Sequence, residues 1–343
     1  MNARVSSRRY SLWALFLVVA MLLAPASGMA SAQTTSPGWG NGTLTSDEIK
    51  ALIAQMTVTE ENTFVHGSNT TETPCANVWI SSWVTGCQGE AGRIPGVARL
   101  GIPPLRLSDG PAGVRLSHQE TALPAPVGLA ASFDRGLAHL FAATMGRAFR
   151  ATNQDVWLGP MMNIVNVPTA GRNFETLGED PYLSGELAVE LVKGVQSEGI
   201  LAQIKHYVDN DFENGRNSTS VLIDEQTQRE VELAPFEKAV KEADPGSAMC
   251  SYNRINDVYA CSNDLMLNQI LKDEWNWDGF VTSDWGATHR PQDLIHGLDM
   301  EQSGSNNLGA PVRIAITNTI GTAAVAATND MPAERAYTSA EWK

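Results

Sequence analysis

Apolar side chains recur at helical spacing in several segments of the 343-residue chain. In the clearest of them, Asp134–Ala151, the side chains of Leu137, Phe141 and Met145 fall on one face of a helix. The same spacing predicts further helices at Ser46–Met56, Pro181–Glu198, Glu225–Ala243, Ser262–Trp275 and Ala310–Ala327. Ser262 is predicted to cap its helix, because a serine oxygen can accept from a free amide of the first turn.

Short extended runs alternate with these helices. They are predicted at Leu105–Ser108, Val156–Val165, Ile200–Tyr207, Ser247–Tyr252 and Gly279–Ser283. Strands that alternate with helices indicate parallel βαβ units, in either a doubly wound sheet or a (β/α)8 barrel. No G-x-G-x-x-G follows the first strand, which disfavours the dinucleotide-binding form of the open sheet.

Polar residues stand where four of the predicted strands end. They are Asp109, the pair Lys205-His206, Tyr252 and Asp284. In a barrel the C-terminal ends of the strands converge on one mouth, which carries the active site. We therefore predict an α/β fold of the (β/α)8 TIM-barrel type with a site at this mouth.

The first 32 residues have the features of a secretory signal peptide. Three arginines precede an apolar run from Leu12 to Leu23, and an Ala30-Ser31-Ala32 cleavage site follows. The run is shorter than the roughly 20 residues that a membrane-spanning helix needs. Residues 33–44 are rich in Gly, Ser, Thr and Pro and are predicted to be a linker. The prediction is export to the periplasm or the extracellular space, with no membrane attachment after cleavage.

The charge of the chain argues against two classes of partner. The predicted signal carries three arginines and no acid, so its removal changes the formal charge from −14 to −17. An acidic surface without a basic run disfavours nucleic acid and anionic membranes.

The chain has four cysteines, Cys75, Cys87, Cys250 and Cys261. None has C-x-x-C spacing, which disfavours zinc and thioredoxin chemistry. In an exported chain an even count suggests disulfides. Three connectivities are open, and nearest-neighbour pairing favours Cys75–Cys87 with Cys250–Cys261.

Five motifs in chain order resemble the N-terminal catalytic barrel domain of glycoside hydrolase family 3, the β-glucosidase family. They are LRLSDGPAGVR (105–115), GRNFETLGEDPYLSG (171–185), IKHYV (204–208), MCSYNRINDVYAC (249–261) and GFVTSDWGATH (279–289). The resemblance implies that residues 45–343 form this barrel domain, incomplete at its C-terminal end.

The resemblance also implies roles for single residues. Asp284 is identified as the nucleophile of a retaining β-glycosidase, which removes terminal non-reducing β-D-glucosyl residues through a covalent glycosyl-enzyme. Six residues are identified as substrate-binding: Asp109, Arg172, Lys205, His206, Tyr252 and Trp285. Glu175 is expected to pair with a nearby cation. No cofactor or metal is implied, and the expected partner is a β-glucoside or oligosaccharide.

The chain also departs from the family pattern. Family β-glucosidases take their acid/base glutamate from a C-terminal α/β domain, which residues up to Lys343 do not include. That missing domain is expected as an intramolecular partner, and the chain alone is not expected to hydrolyse cellobiose.

Single-domain members use a KHFPGHG loop, but no histidine follows His206 in KHYVDNDFENGRN. Asn166 stands where many members have arginine. A non-catalytic carbohydrate-binding barrel and a β-xylosidase remain alternatives.

Overall fold

The computed structural model describes residues 45–67, 89–117 and 119–302. The predicted signal peptide, the linker, Cys75, Cys87 and the helix at Ala310–Ala327 lie outside these residues. Across the described ranges, no helix is long and apolar enough to cross a membrane.

Six helices form the helical part of the described chain. They are α1 (Ser46–Ile53), α2 (Val58–Phe64), α3 (Arg135–Ala151), α4 (Pro181–Gln196), α5 (Ala234–Ala243) and α6 (Leu265–Glu274). Shorter helical segments lie at Ala98–Leu100, Pro126–Ala130, Asn173–Glu175, Glu225–Thr227, Gln228–Glu232, Ala260–Ser262 and Pro291–His296. The predicted helices that fall within the described residues are therefore present, although their ends and continuity differ from the prediction and α6 has π-type hydrogen bonding.

The start of α6 differs from the prediction in its capping residue. The Ser262 hydroxyl donates to Asp293 Oδ1 at 2.5 Å and does not cap the helix. Asn263 takes that place, because its Oδ1 accepts from the amide of Met266 at 3.3 Å. Both side chains are good caps, and the buried carboxylate of Asp293 decides between them by binding the serine.

The predicted helix Glu225–Ala243 is interrupted. A short helix at Glu225–Thr227 continues into a π-type turn at Gln228–Glu232, in which the Leu233 amide donates to the Gln228 carbonyl five residues earlier. Helix α5 then starts afresh, with Pro235 in its first turn. Proline has no N–H to donate, so it is tolerated at a helix start but interrupts the ladder of a continuous helix.

The part of the chain that the structure describes contains nine strands in two sheets. They are β1 (Gly92–Ile94), β2 (Leu105–Ser108), β3 (Val156–Trp157), β4 (Leu201–Tyr207), β5 (Ser220–Val221), β6 (Ser247–Cys250), β7 (Arg254–Ile255), β8 (Val258–Tyr259) and β9 (Phe280–Ser283). The main sheet has the order β1-β2-β3-β4-β6-β9 and is parallel apart from the β1–β2 pair. Strands β5, β7 and β8 form a small separate sheet.

The predicted strand Val156–Val165 is shorter than expected. Strand β3 ends at Trp157, and Met161 pairs again with Lys205 only as an isolated parallel bridge. Pro160 lies between them and cannot donate to a ladder. The chain after β3 therefore leaves the sheet early.

The main sheet separates two apolar layers and curves around the inner one. On β4, Ala202 and Ile204 pack in the outer layer with α3, α4 and α5, whereas Leu201 packs in the inner layer with α1 and α2. Parallel bridges from Thr282 to Met300, and from Glu301 to His66, continue the pairing beyond β9. The result is a curved sheet with helices outside, so the barrel-like α/β prediction is confirmed.

Candidate active site

The ends of β2, β4 and β9 open into one cavity of about 400 Å³. Parallel strands start and end in the same direction, so the residues that follow them meet at one edge of the sheet. The cavity is lined by Ala91, Asp109, Arg115, Arg172, Glu175, Lys205, His206, Glu213, Arg216, Met249, Asp284 and Trp285. Six of the seven residues predicted as substrate-binding or catalytic, all except Tyr252, thus line this one cavity.

Asp284 follows β9 and is only 8% exposed. Its backbone amide donates to the carbonyl of Cys250 on β6 at 3.0 Å, and its Oδ1 accepts from the amide of Trp285 at 2.7 Å. Burial raises the pKa of Asp284, while the Trp285 amide and the Lys205 and Arg216 cations act in the opposite direction. The carboxylate is therefore held rigidly and faces cations that favour its ionised form.

Asp109 and Lys205 face each other across the floor of the cavity. Lys205 Nζ lies 3.8 Å from Asp109 Oδ1, and Arg115 Nη1 lies 3.3 Å from Asp109 Oδ2. Lys205 is buried, which lowers its pKa, and the Asp109 carboxylate opposes that effect. Asp109 keeps about a third of its side chain exposed, so it can accept hydrogen bonds from a ligand.

His206 is held as a neutral imidazole. Arg172 Nη1 lies 3.1 Å from His206 Nε2, and arginine can only donate, so Nε2 is the acceptor. The proton then lies on Nδ1, which is 3.2 Å from Asn163 Oδ1. Burial lowers the pKa of His206 well below its ordinary value, and Arg172 and Lys205 lower it further. The 3.6 Å contact from Nε2 to Asp284 Oδ2 is therefore not an ion pair.

Arg172 is oriented by two glutamates. Its Nε and Nη2 donate to the two carboxylate oxygens of Glu175 at 3.1 and 2.8 Å, and its Nη1 lies 3.6 Å from Glu213. Burial works against the charge of Arg172, but Glu175, Glu213 and Asp284 together raise its pKa. The expectation that Glu175 pairs with a cation is confirmed.

Trp285 lines the cavity beside Asp284, and Tyr252 holds the Trp285 backbone. The Trp285 indole Nε1 donates to the Ala91 carbonyl at 2.9 Å, which fixes the ring against β1. The Tyr252 hydroxyl donates to the Trp285 carbonyl at 2.9 Å, and the Arg216 guanidinium lies 4.3 Å from the centre of the Tyr252 ring. Tyr252 is not among the described residues that line the cavity. Its contacts hold the turn after Asp284.

Four residues of the site were not singled out from the sequence. Arg115, Glu213 and Arg216 line the cavity, and Asn163 holds His206. Arg115 lies within the quoted motif LRLSDGPAGVR. Glu213 and Arg216 follow β4 in a loop, where barrel enzymes carry site residues. Asn163 is a polar residue inside the apolar run MMNIV, which is a signal of a buried hydrogen bond.

A disulfide ties the segment after β6 to the sheet. Cys250 and Cys261 are bonded, with their Cα atoms 5.2 Å apart, so this part of the predicted pairing is confirmed. Cys250 also supplies the carbonyl that binds the Asp284 amide. Over the ranges 45–67, 89–117 and 119–302, no group of three or more His, Cys, Asp or Glu side chains could hold a metal ion.

Comparisons with known proteins agree on one family. Residues 93–330 match the family described as "Glycosyl hydrolase family 3 N terminal domain". The chain is 39% identical over 274 residues to thermostable beta-glucosidase B of Acetivibrio thermocellus, covering 76% of this chain and 34% of that protein.

Solved structures agree. A beta-glucosidase, DesR, from Streptomyces venezuelae in complex with D-glucose superposes with a TM-score of 0.70 at 41% identity, covering 78% of this chain and 34% of that one. Beta-glucosidase 3B from Thermotoga neapolitana in complex with glucose superposes with a TM-score of 0.73 at 35% identity, covering 78% and 39%. The chain thus spans little more than a third of the length of these relatives. It belongs to glycoside hydrolase family 3, and its residues 93–330 correspond to the N-terminal domain of that family.

Proposed function

We propose that this chain carries the nucleophile and the glucose-binding pocket of a retaining β-glucosidase. The observation that carries the proposal is the position of Asp284, a buried carboxylate at the end of β9 that faces a cavity lined by Lys205 and Arg172. The related proteins named beta-glucosidase, two of them with glucose bound, support glucose as the sugar.

The proposed reaction begins with attack of Asp284 on the anomeric carbon of a terminal β-D-glucosyl residue. The bond to the leaving oxygen breaks as the ester bond to the carboxylate forms, and water later releases glucose with retained configuration. Burial raises the pKa of Asp284, and the Trp285 amide and the Lys205 and Arg216 cations limit that rise. An ionised carboxylate is what this step needs.

Sugar hydroxyls and the sugar face have matching partners in the cavity. Asp109 is proposed to accept from two adjacent hydroxyls, which are charge-assisted bonds and strongly orienting. Lys205 and Arg172 are proposed to donate to hydroxyl oxygens. The neutral His206 is proposed to lie beside them as a further polar contact of the sugar. Trp285 is proposed to pack against the apolar face of the glucosyl ring.

The general acid is proposed to come from outside the described residues. Apart from Asp284, the carboxylates of the cavity are Asp109, Glu175 and Glu213, and each lies within 3.3 Å of an arginine nitrogen. Each of these three carboxylates is already engaged in an ion pair, so we assign them to positioning an arginine and not to proton transfer. An acid/base glutamate from a second α/β domain, acting as partner to this one, would complete the reaction.

The location and domain division of the protein are part of the same proposal. We propose that residues 1–32 direct export, that residues 33–44 are a linker and that residues 45–343 belong to the barrel domain. Export to an oxidising compartment is consistent with the Cys250–Cys261 disulfide. Under that proposal Cys75 and Cys87 form the second pair.

Hydrolysis of 2,4-dinitrophenyl β-glucoside tests the proposed function, since this phenolate leaves without protonation. We expect turnover that releases β-glucose first, as seen by proton NMR, and a loss of about 10³-fold or more in kcat for Asp284→Asn. Asp278→Asn, at an exposed position near the same strand, is the matched control. Faster hydrolysis of the β-xyloside would favour a β-xylosidase, and glucose binding without turnover would favour a carbohydrate-binding barrel.

A further inference from the structure

Three carboxyls, of the buried Asp209 and Glu232 and the half-buried Asp211, lie beside the loop that follows β4. Asn166 Nδ2 donates to Asp211 Oδ2 at 3.0 Å and also to Glu232 Oε1 at 3.2 Å, so one amide nitrogen joins the two acids. Gln228 Nε2 donates to Asp209 Oδ1 at 2.9 Å. Asp209 and Glu232 are 2% and 5% exposed. The donors that reach this cluster are therefore neutral amides, which bring no positive charge.

No lysine, arginine or histidine of the described residues compensates the charge of the cluster. Among the described residues, Asp209, Asp211 and Glu232 form no ion pair with a lysine, arginine or histidine. The two arginines of the neighbouring cavity, Arg172 and Arg216, are paired with Glu175 and Glu213. The described residues also contain no cluster able to hold a metal ion. A proton taken up by one of the carboxyls would reduce the negative charge of this site.

The hydrogen bonds of the cluster leave room for such a proton. Asp211 Oδ1 and Glu232 Oε2 are buried and have no hydrogen-bond partner among the described residues. A buried carboxylate oxygen without a donor costs free energy, and protonation removes the charge and supplies a donor. Two ionised carboxylates bound to one amide nitrogen would also repel each other, and the usual outcome is that one of them keeps its proton.

The pKa values of the three acids also favour a bound proton. Burial raises the pKa of Asp211 to about 8, with further contributions from Glu232 and Asp209. Burial also raises the pKa of Glu232, and it raises that of Asp209 to about 7. Because the two neighbouring acids interact, the protons belong to the pair and not to either residue alone.

We propose that the Asp211 and Glu232 carboxyls share one proton, and that this proton holds the loop carrying Arg216 against the cavity. The π-type turn Gln228–Glu232 brings Glu232 to this loop. Two residues after Asp211, the amide of Glu213 donates to the Ala170 carbonyl at 2.9 Å. Asp211 is thus a positioning residue for the cavity wall, acting through the loop 208–219.

A shared proton should make the stability of the folded chain depend on pH. The ordinary pKa of an aspartate is about 3.9 in an unfolded chain, and it is about 8 for Asp211 in the folded protein. Between these values the folded state binds more protons than the unfolded state, so stability falls as pH rises from about 4 to about 8. An amide cannot ionise, so Asp211→Asn and Glu232→Gln should each remove the part of this loss that belongs to the shared proton. The part that belongs to Asp209, whose pKa burial raises to about 7, should remain in both variants.

Thermal unfolding of the chain between pH 5 and pH 8 tests the proposal, and it needs no assumption about the reaction. We expect the Tm difference between Asp211→Asn and the unmodified chain to widen by about 5–10 °C from pH 5 to pH 8. Glu232→Gln should give the same trend, and the double variant should add nothing further because one shared proton is lost in either. Asp257→Asn, on the exposed turn after β7, should leave the trend unchanged.

Hydrogen exchange of the loop gives the second readout. Peptides covering residues 208–219 should exchange faster at pH 8 than the intrinsic pH dependence predicts, and this excess should disappear in Asp211→Asn. A Tm difference that stays constant from pH 5 to pH 8 for both single variants would overturn the proposal. So would a loop whose excess exchange is the same in the unmodified chain and in both variants.

Discussion

Asn163 shows how one buried side chain can set the chemistry of a neighbour. Its Oδ1 accepts from the His206 amide at 2.8 Å and faces His206 Nδ1 at 3.2 Å, while its Nδ2 donates to the His206 carbonyl at 3.0 Å. Arg172 occupies the other ring nitrogen. Because both nitrogens have fixed partners, the imidazole stays neutral and oriented beside Asp284.

Replacing this amide should therefore be costly. Asn163→Ala leaves the buried polar groups of His206 without partners, and we expect a loss of about 1–3 kcal/mol in the free energy of unfolding. Urea denaturation measures it. Asn217→Ala, at an exposed position in the loop after β4, is the control and should stay within about 0.5 kcal/mol. Equal stabilities for the two variants would show that Asn163 does not hold His206.

Single site residues were predictable where a charged residue follows directly after an apolar run. Asp109, Lys205 and Asp284 each end an apolar run, and a charge at such a position needs a reason that the sequence makes visible. The partners of these charges were not predictable. Glu213 and Arg216 lie in an irregular loop, and only the folded chain brings them to Arg172.

At the scale of elements, periodicity identified the strands and helices but not all of their ends. Strand β2 has the predicted bounds, Leu105–Ser108, because apolar residues and a polar end define it. The predicted helix Glu225–Ala243 was wrong as a continuous element. The apolar residues keep their helical spacing across the π-type turn. The pattern therefore did not reveal the change in hydrogen bonding that the turn and Pro235 introduce.

The segment between Cys250 and Cys261 links β6 to the site. The disulfide closes a loop with a sequence separation of 11, and Cys250 also binds the Asp284 amide. Loops of this size are stabilised by about 3 kcal/mol when bridged. We expect Cys261→Ser to lose about 2–4 kcal/mol in the free energy of unfolding, measured by guanidinium denaturation.

The reduced form of the unmodified chain is the control for this variant. It should unfold at nearly the same denaturant concentration as Cys261→Ser, because both lack the bridge. A variant as stable as the oxidised chain would contradict the structural role given to the disulfide.

At the scale of the whole molecule, the parallel order of the strands creates the site. The ends of β2, β4 and β9 are far apart in sequence, and the sheet order brings them to one cavity. This convergence was predictable, since parallel strands joined through helices leave no other arrangement of their ends. The buried acidic cluster was not, because Asn166, Asp211 and Glu232 lie on three different segments.

Asp284 is proposed to form a covalent bond with the sugar, and this bond can be trapped with a slow substrate. The chain would be incubated with 2,4-dinitrophenyl 2-deoxy-2-fluoro-β-glucoside, whose fluorine slows release of the intermediate. Mass spectrometry should show one added fluoroglucosyl group, located at Asp284 in the peptide 279–289, and none in Asp284→Asn. An adduct on another carboxylate, or no adduct on a chain that still binds glucose, would contradict the account.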